Sequence, residues 1–98
     1  MSIRATIVLS HYSRPKLAAK ARLRFDLRQG RFLLLYPERG LILSPTASDI
    51  LNLCNGDMTV SMIADELATR HPETAAEDIH ADVLAFLADL HGRGLIQE

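Results

Sequence analysis

The chain has a single cysteine, Cys54, so no internal disulfide can form. It has no apolar run of about 18 residues, the length a helix needs to cross a bilayer. The apolar stretch in the opening MSIRATIVLS is too short for a secretory signal, and a cytosolic (cytoplasmic) protein is expected. There is no glycine-rich phosphate loop, no nucleophile elbow and no Ser-His-Asp spacing. His71, His80 and His91 match no common metal-ligand spacing and read as solvated helix-surface residues. Asp65-Glu66 and Glu77-Asp78 do not converge, because adjacent helical residues point apart. Catalytic residues, a metal and a cofactor are therefore not expected.

What is present is the composition of one soluble domain. The 98 residues are 48% hydrophobic and 23% charged, enough for a modest core without staples. Charge is unevenly divided. Residues 1–40 hold nine Lys/Arg against Asp26 and Glu38, whereas residues 41–98 hold Arg70 and Arg93 against ten Asp/Glu. Either the two halves attract each other and are otherwise solvated, or the two patches meet different charged partners.

Residues 3–9 alternate as a short strand does. SHYSRPKLAAK at 10–20 reads as a linker broken by Pro15, which makes residues 1–13 an extension and 14–98 the domain. Residues 22–28 alternate strictly, placing Leu23, Phe25 and Leu27 on one face and charges on the other. A tight turn at Gln29-Gly30 leads into 31–36, and the turn Pro37-Glu38-Arg39-Gly40 leads into a third run at 41–43.

Three helices follow. The first has Ser44 as N-cap, Pro45 in its first turn and a face of Ala47, Ile50, Leu51 and Cys54, with Asn55-Gly56 as its end. The second opens at Thr59, presents Val60, Ile63, Ala64 and Leu67, and stops before Pro72. Thr74 and Glu77 form a capping-box pattern for the third, whose core stripe is Ile79, Val83, Phe86, Leu87 and Leu90. The expected fold is α+β: a three-stranded antiparallel sheet followed by three helices, winged-helix-like.

A helix pair beside a small sheet raises nucleic-acid binding as the alternative function. A recognition helix needs cations, yet residues 73–91 contain five carboxylates and no Lys or Arg. Peptide capture fits better. A short third strand at a sheet edge, Leu41, Ile42 and Leu43 with Arg39 before it, offers free backbone groups to an extended peptide. Ala81, Leu84, Ala85 and Ala88 would form an opposite helix wall that another chain can approach closely. The bland alternative is that these alanines are good helix formers on a solvated face. The run at 3–9 could pair with the same edge in its own or another subunit, giving a homodimer.

The blocks RPKL at 14–17, ARLRFD at 21–26, LLYPERGLILSPTASDIL at 34–51, LCNG at 53–56, TV…I at 59–63 and DVLAFLADLHGRGLI at 82–96 resemble the PqqD family of pyrroloquinoline quinone (PQQ) biosynthesis. The resemblance covers about residues 14–97 in the family's order and spacing. It implies a non-catalytic adaptor that binds a ribosomal precursor peptide and presents it to a radical-SAM enzyme. It also implies that the peptide adds as a strand to the third strand, against the third helix.

Overall fold

The computed structural model describes residues 9–98. The alternating run at 3–9 lies outside the described residues except for Leu9, which is buried. The elements, in chain order, are β1 (Lys16–Leu17), β2 (Arg22–Asp26), β3 (Arg31–Tyr36), β4 (Arg39–Ile42), α1 (Pro45–Asn52), α2 (Val60–Arg70), α3 (Ala76–Gly92) and β5 (Ile96–Gln97). β2, β3 and β4 form the expected antiparallel sheet in that order, followed by the three expected helices.

The sheet's apolar face is set by register. Leu23 faces Leu34, which faces Leu41, and Phe25 faces Phe32. Side chains alternate across a strand, so Leu34 points into the core and is fully buried, while Leu33 and Leu35 point out beside Arg24 and Arg22. The β2–β3 connection is longer than the expected two-residue turn. Four residues, Leu27–Gly30, close it, with the Gly30 N–H donating to the Asp26 carbonyl at 2.8 Å and Gly30 at φ 64°. Leu27 therefore leaves the strand and is 87% exposed, rather than sharing a buried face with Leu23. The β3–β4 hairpin is tighter: Tyr36 pairs with Arg39 across only Pro37 and Glu38. Pro37 suits the first loop position, and Glu38 takes the positive φ (63°) that follows a proline in type II turns.

α1 and α2 start where their caps predict. The Ser44 hydroxyl accepts from the Ala47 N–H and the Thr59 hydroxyl from the Met62 N–H, both at 3.1 Å. Thr59→Ala should cost about 1 kcal/mol, read as a lowered urea midpoint. α3 departs from expectation. Its N-cap is Ala75, with no side-chain cap bond, so the Thr74–Glu77 capping box does not form. Ile50, Leu51, Val60, Ile63, Ala64, Leu67, Ile79, Val83, Leu87 and Leu90 carry the helical share of the core.

Cys54 lies beyond the end of α1, not on it, but its thiol is buried and donates to the Ile50 carbonyl at 3.3 Å. Burial pushes its pKa from 9.0 up to about 12. The folded protein should therefore resist iodoacetamide at pH 8 and react only on unfolding. Because the unfolded thiol ionises first, this group's contribution to stability is complete below pH 9.0 and declines as pH rises toward 12.

Residues 10–20 are not a linker. Their backbone is bonded into the fold: the His11 and Ser13 carbonyls accept from the Ser61 and Val60 N–H groups, and the Pro15 carbonyl accepts from Gly56. β1 then pairs with β5, Lys16 with Gln97 and Leu17 with Ile96, closing a second, two-stranded ladder. Nor do the two charge halves pair: the two Arg–carboxylate pairs and the two His–carboxylate contacts among the described residues all lie within 65–93.

Candidate functional site

β4 is an edge strand, bonded on one side to β3 and packed extensively against no other element. Its hydrogen-bond phase follows from one contact. The Leu43 N–H donates to the Phe32 carbonyl at 3.0 Å. Bonding alternates along an antiparallel strand, so Leu41 also turns its backbone inward to Leu34. Gly40 and Ile42 then turn their N–H and C=O groups outward, at the open edge. Leu41 is half-buried, Leu43 is buried, and the Ile42 side chain is 57% exposed on the outer sheet face. Gly40 adds no side chain to shield the edge.

β2 is the other edge of this sheet. Its outer side chains are Arg22, Arg24 and Asp26, and charges on an edge discourage strand addition. Between Arg39 and Leu43 no residue is charged. Of the two edges, β4 carries the fewer charges.

Cavities lie beneath both ends of β4. At the Ile42 end a 670 Å³ hollow under the sheet is lined by Phe25, Phe32, Ile42, Leu43 and Pro45, with Phe25 and Phe32 edge-to-face at 5.0 Å. At the Arg39 end a 490 Å³ cavity is lined by Lys20, Tyr36, Pro37, Arg39, Arg93 and Leu95. The first also has Arg31, Gln29, Ser44 and Ser48 on its lining, whereas the second gathers three cations.

The helix that shares hollows with β4 and the start of α1 is α3, though not through its alanines. Arg93, capping α3, shares the cationic cavity with Arg39, and Asp82 shares a smaller hollow with Thr46 at the start of α1. At about 100° per residue, Asp82, Phe86, Asp89 and Arg93 form one flank of the helix, and the two ends of this flank, Asp82 and Arg93, border those hollows. Leu84 lies on the opposite flank with His80, which bonds Asp65 of α2 at 2.7 Å. Ala81, Ala85 and Ala88 are exposed on the side facing away from the core. The structure thus brings Arg39, Leu41, Ile42 and Leu43 together on one edge and leaves the four α3 residues elsewhere. The missed flank had a weak signal in sequence: Phe86 at the margin of the core stripe, with Arg93 two turns beyond it.

The histidines are less solvated than expected. His71, His80 and His91 are all half-buried, and the His71 Nδ1 lies 3.5 Å from a Glu73 carboxylate oxygen. No three metal-ligating side chains cluster among the described residues. The exposed side of α3 carries Glu77, Asp78, Asp82 and Asp89, which would repel a phosphate backbone. No helix among the described residues is long and apolar enough to cross a membrane.

The family model of coenzyme PQQ synthesis protein D (PqqD) matches residues 31–96. A PqqA binding protein of Rhodopseudomonas palustris (strain BisB5) is 45% identical over 92 residues, 94% of this chain and 89% of that protein. A PqqA binding protein of Rahnella aquatilis is 35% identical, covering 88% of this chain and 87% of its own. The solution NMR structure of the PqqD truncation of Methylobacterium extorquens PqqCD is described as a functional, stand-alone recognition element for ribosomally synthesised, post-translationally modified peptides. It superposes with a TM-score of 0.77 at 34% identity, covering 92% of this chain and 95% of that one. The crystal structure of PqqD from Xanthomonas campestris matches with a TM-score of 0.57 at 30% identity, covering 92% and 99%. On the family match and these identities, the chain belongs to the PqqD family.

Proposed function

We propose that the protein is a non-catalytic adaptor of PQQ biosynthesis that binds the ribosomal precursor peptide PqqA as a fourth strand along β4. The observation that carries this reading is the outward backbone of Gly40 and Ile42 in a stretch of edge that is free of charge between Arg39 and Leu43. An added strand gains main-chain hydrogen bonds there, and its alternate side chains enter the space between β4 and the Asp82–Phe86–Asp89–Arg93 flank. Relatives named as PqqA binding proteins and a related recognition element support the same role. Residues 14–98 carry the recognition site, and residues 9–13 pack onto the same domain, with Leu9 buried and the His11 and Ser13 carbonyls bonded to the start of α2. The alternating run at 3–9, pairing with the β4 edge of a second copy, would form a homodimer and compete with the peptide.

The adaptor presents the peptide to a radical-SAM enzyme. Strand addition leaves the outer sheet face free, where Arg22 and Arg24 stand beside Leu33, Leu35 and the exposed Ile42 without an ion-pair partner among the described residues. That face suits an acidic, partly apolar surface on the enzyme.

Titrating isotope-labelled protein with synthetic PqqA peptide tests the reading. Saturable amide shifts are expected at Gly40–Leu43 and along Phe86–Arg93. Shifts confined to the β2 edge, or none, would refute it.

A further inference from the structure

The cationic cavity at the Arg39 end of β4 is assembled from three separate elements. Lys20 sits in a turn closed by the Ala21 N–H donating to the Ala18 carbonyl at 2.9 Å, and the Ala18 N–H in turn donates to the Leu95 carbonyl. Arg39 opens β4, and Arg93 caps α3. Gly94, at φ 75°, helps seat the lysine: a Cβ there would lie 3.3 Å from the Lys20 Nζ. Buried Leu95 and half-buried Tyr36 also line the cavity.

These cations are short of counter-charge. Among the described residues neither Lys20 nor Arg39 has an ion-pair partner, and Glu38, next to Arg39 in the turn, pairs with neither. Arg93 meets Asp89 at 3.2 Å, but both side chains are more than half exposed, so the pair is weak and exchangeable. The Tyr36 hydroxyl has no hydrogen-bond partner among the described residues. Two guanidinium groups, an ammonium and a phenol therefore border one hollow with a single carboxylate among them. Such a set matches an incoming carboxylate, which guanidinium groups bind in a two-pronged fashion.

Position supplies the occupant. Tyr36, Arg39 and Leu41 share the inner sheet face, so an inward side chain of a strand added to β4 reaches the hollow at the Arg39 end. We propose that Lys20, Arg39 and Arg93 form a carboxylate subsite that takes an acidic side chain of the docked peptide and fixes its register on β4. This rests on strand addition at that edge. Backbone pairing alone is indifferent to a slip of two residues along the strand; an acidic residue held in this cavity is not.

Calorimetric titration of the full chain with synthetic PqqA peptide, and with peptides in which each Asp or Glu is singly replaced by its amide, tests the proposal. One amide replacement should weaken binding to the wild type roughly 3- to 10-fold. The same replacement should be silent against the Lys20→Ala/Arg39→Ala/Arg93→Ala variant, whose thermal unfolding serves as the folding control. The discrimination should shrink as NaCl rises from about 0.05 to 0.5 M. The subsite is overturned if every amide peptide binds the wild type like the parent, or if the loss persists in the triple variant. If the parent peptide binds but leaves the Gly40–Leu43 amides unmoved, strand addition at β4 fails and the subsite fails with it. If the peptide shifts those amides yet is blind to the three cations, only the subsite fails.

Discussion

Ile42→Pro should weaken PqqA peptide binding at least about tenfold while leaving the domain folded. The Ile42 N–H points away from β3, so proline removes no bond of the native sheet. Proline is tolerated on an edge strand with its ring toward solvent, and the preceding Leu41 already has the extended backbone that a following proline requires. The added strand, by contrast, loses a main-chain donor and meets a ring at its closest approach. Leu41→Pro is the matched opposite. The Leu41 N–H is turned inward to Leu34, so that variant should lose stability first and binding only as a consequence. Ile42→Ala keeps the donor and should bind within a few-fold of wild type. Unimpaired binding by a folded Ile42→Pro protein would rule out strand addition at this edge.

This pair of neighbouring residues also separates what is legible in the sequence from what only the fold decides. A short apolar run after the Pro37–Gly40 turn pointed to the third strand, although Arg39 and Gly40 belong to the strand and the turn is only Pro37–Glu38, and Ser44 with Pro45 located the start of α1, because those signals are local. Whether residue 41 or residue 42 faces outward was not legible. That depends on which residue of β3 each one meets, and RFLLLY offers three leucines in a row with nothing to choose among them. The β1–β5 ladder was invisible for a related reason. Lys16 and Leu17 become a strand only because Gln97 and Ile96 return to meet them from the far end of the chain. A two-residue strand carries no periodicity of its own.

The candidate site divides along the same line. Its strand half followed from local pattern. Its helix half, Ala81, Leu84, Ala85 and Ala88, depends on which face α3 turns toward the third strand, and helical periodicity alone does not decide that. Ala81, Ala85 and Ala88 are there as good helix formers on the exposed side, while the rotation of α3 is set by its packing on α2, where His80 meets Asp65. A helix's apolar stripe locates its core side. Which flank of that stripe borders a neighbouring strand is a tertiary fact. The basic half of the chain also looks different once folded: its cations do not neutralise the acidic half, and Lys20 and Arg39 gather instead at one end of the edge.

Leu34→Ala should be among the most destabilising single substitutions, and Leu33→Ala beside it among the mild ones. Leu34 sits in the central strand, is fully buried, and is flanked by Leu23 on β2 and Leu41 on β4. Truncation loses the transfer free energy of the side chain and leaves a cavity that the rigid centre of a sheet cannot collapse, for a cost of about 3–5 kcal/mol. Against a total of roughly 5–15 kcal/mol for a domain of this size, that is a large share. It corresponds to a fall in Tm of at least about 12 °C. Leu33 lies on the outer face, half-buried beside Arg24 and Ile42, and its truncation should cost about 1 kcal/mol or less. Urea melts of the two variants read the difference directly. Because a slip of one residue exchanges the two faces, equal costs would mean that the β2–β3–β4 register is wrong, and with it the outward direction of Gly40 and Ile42. The stability of one buried leucine is thus an independent check on the edge where the peptide is proposed to bind.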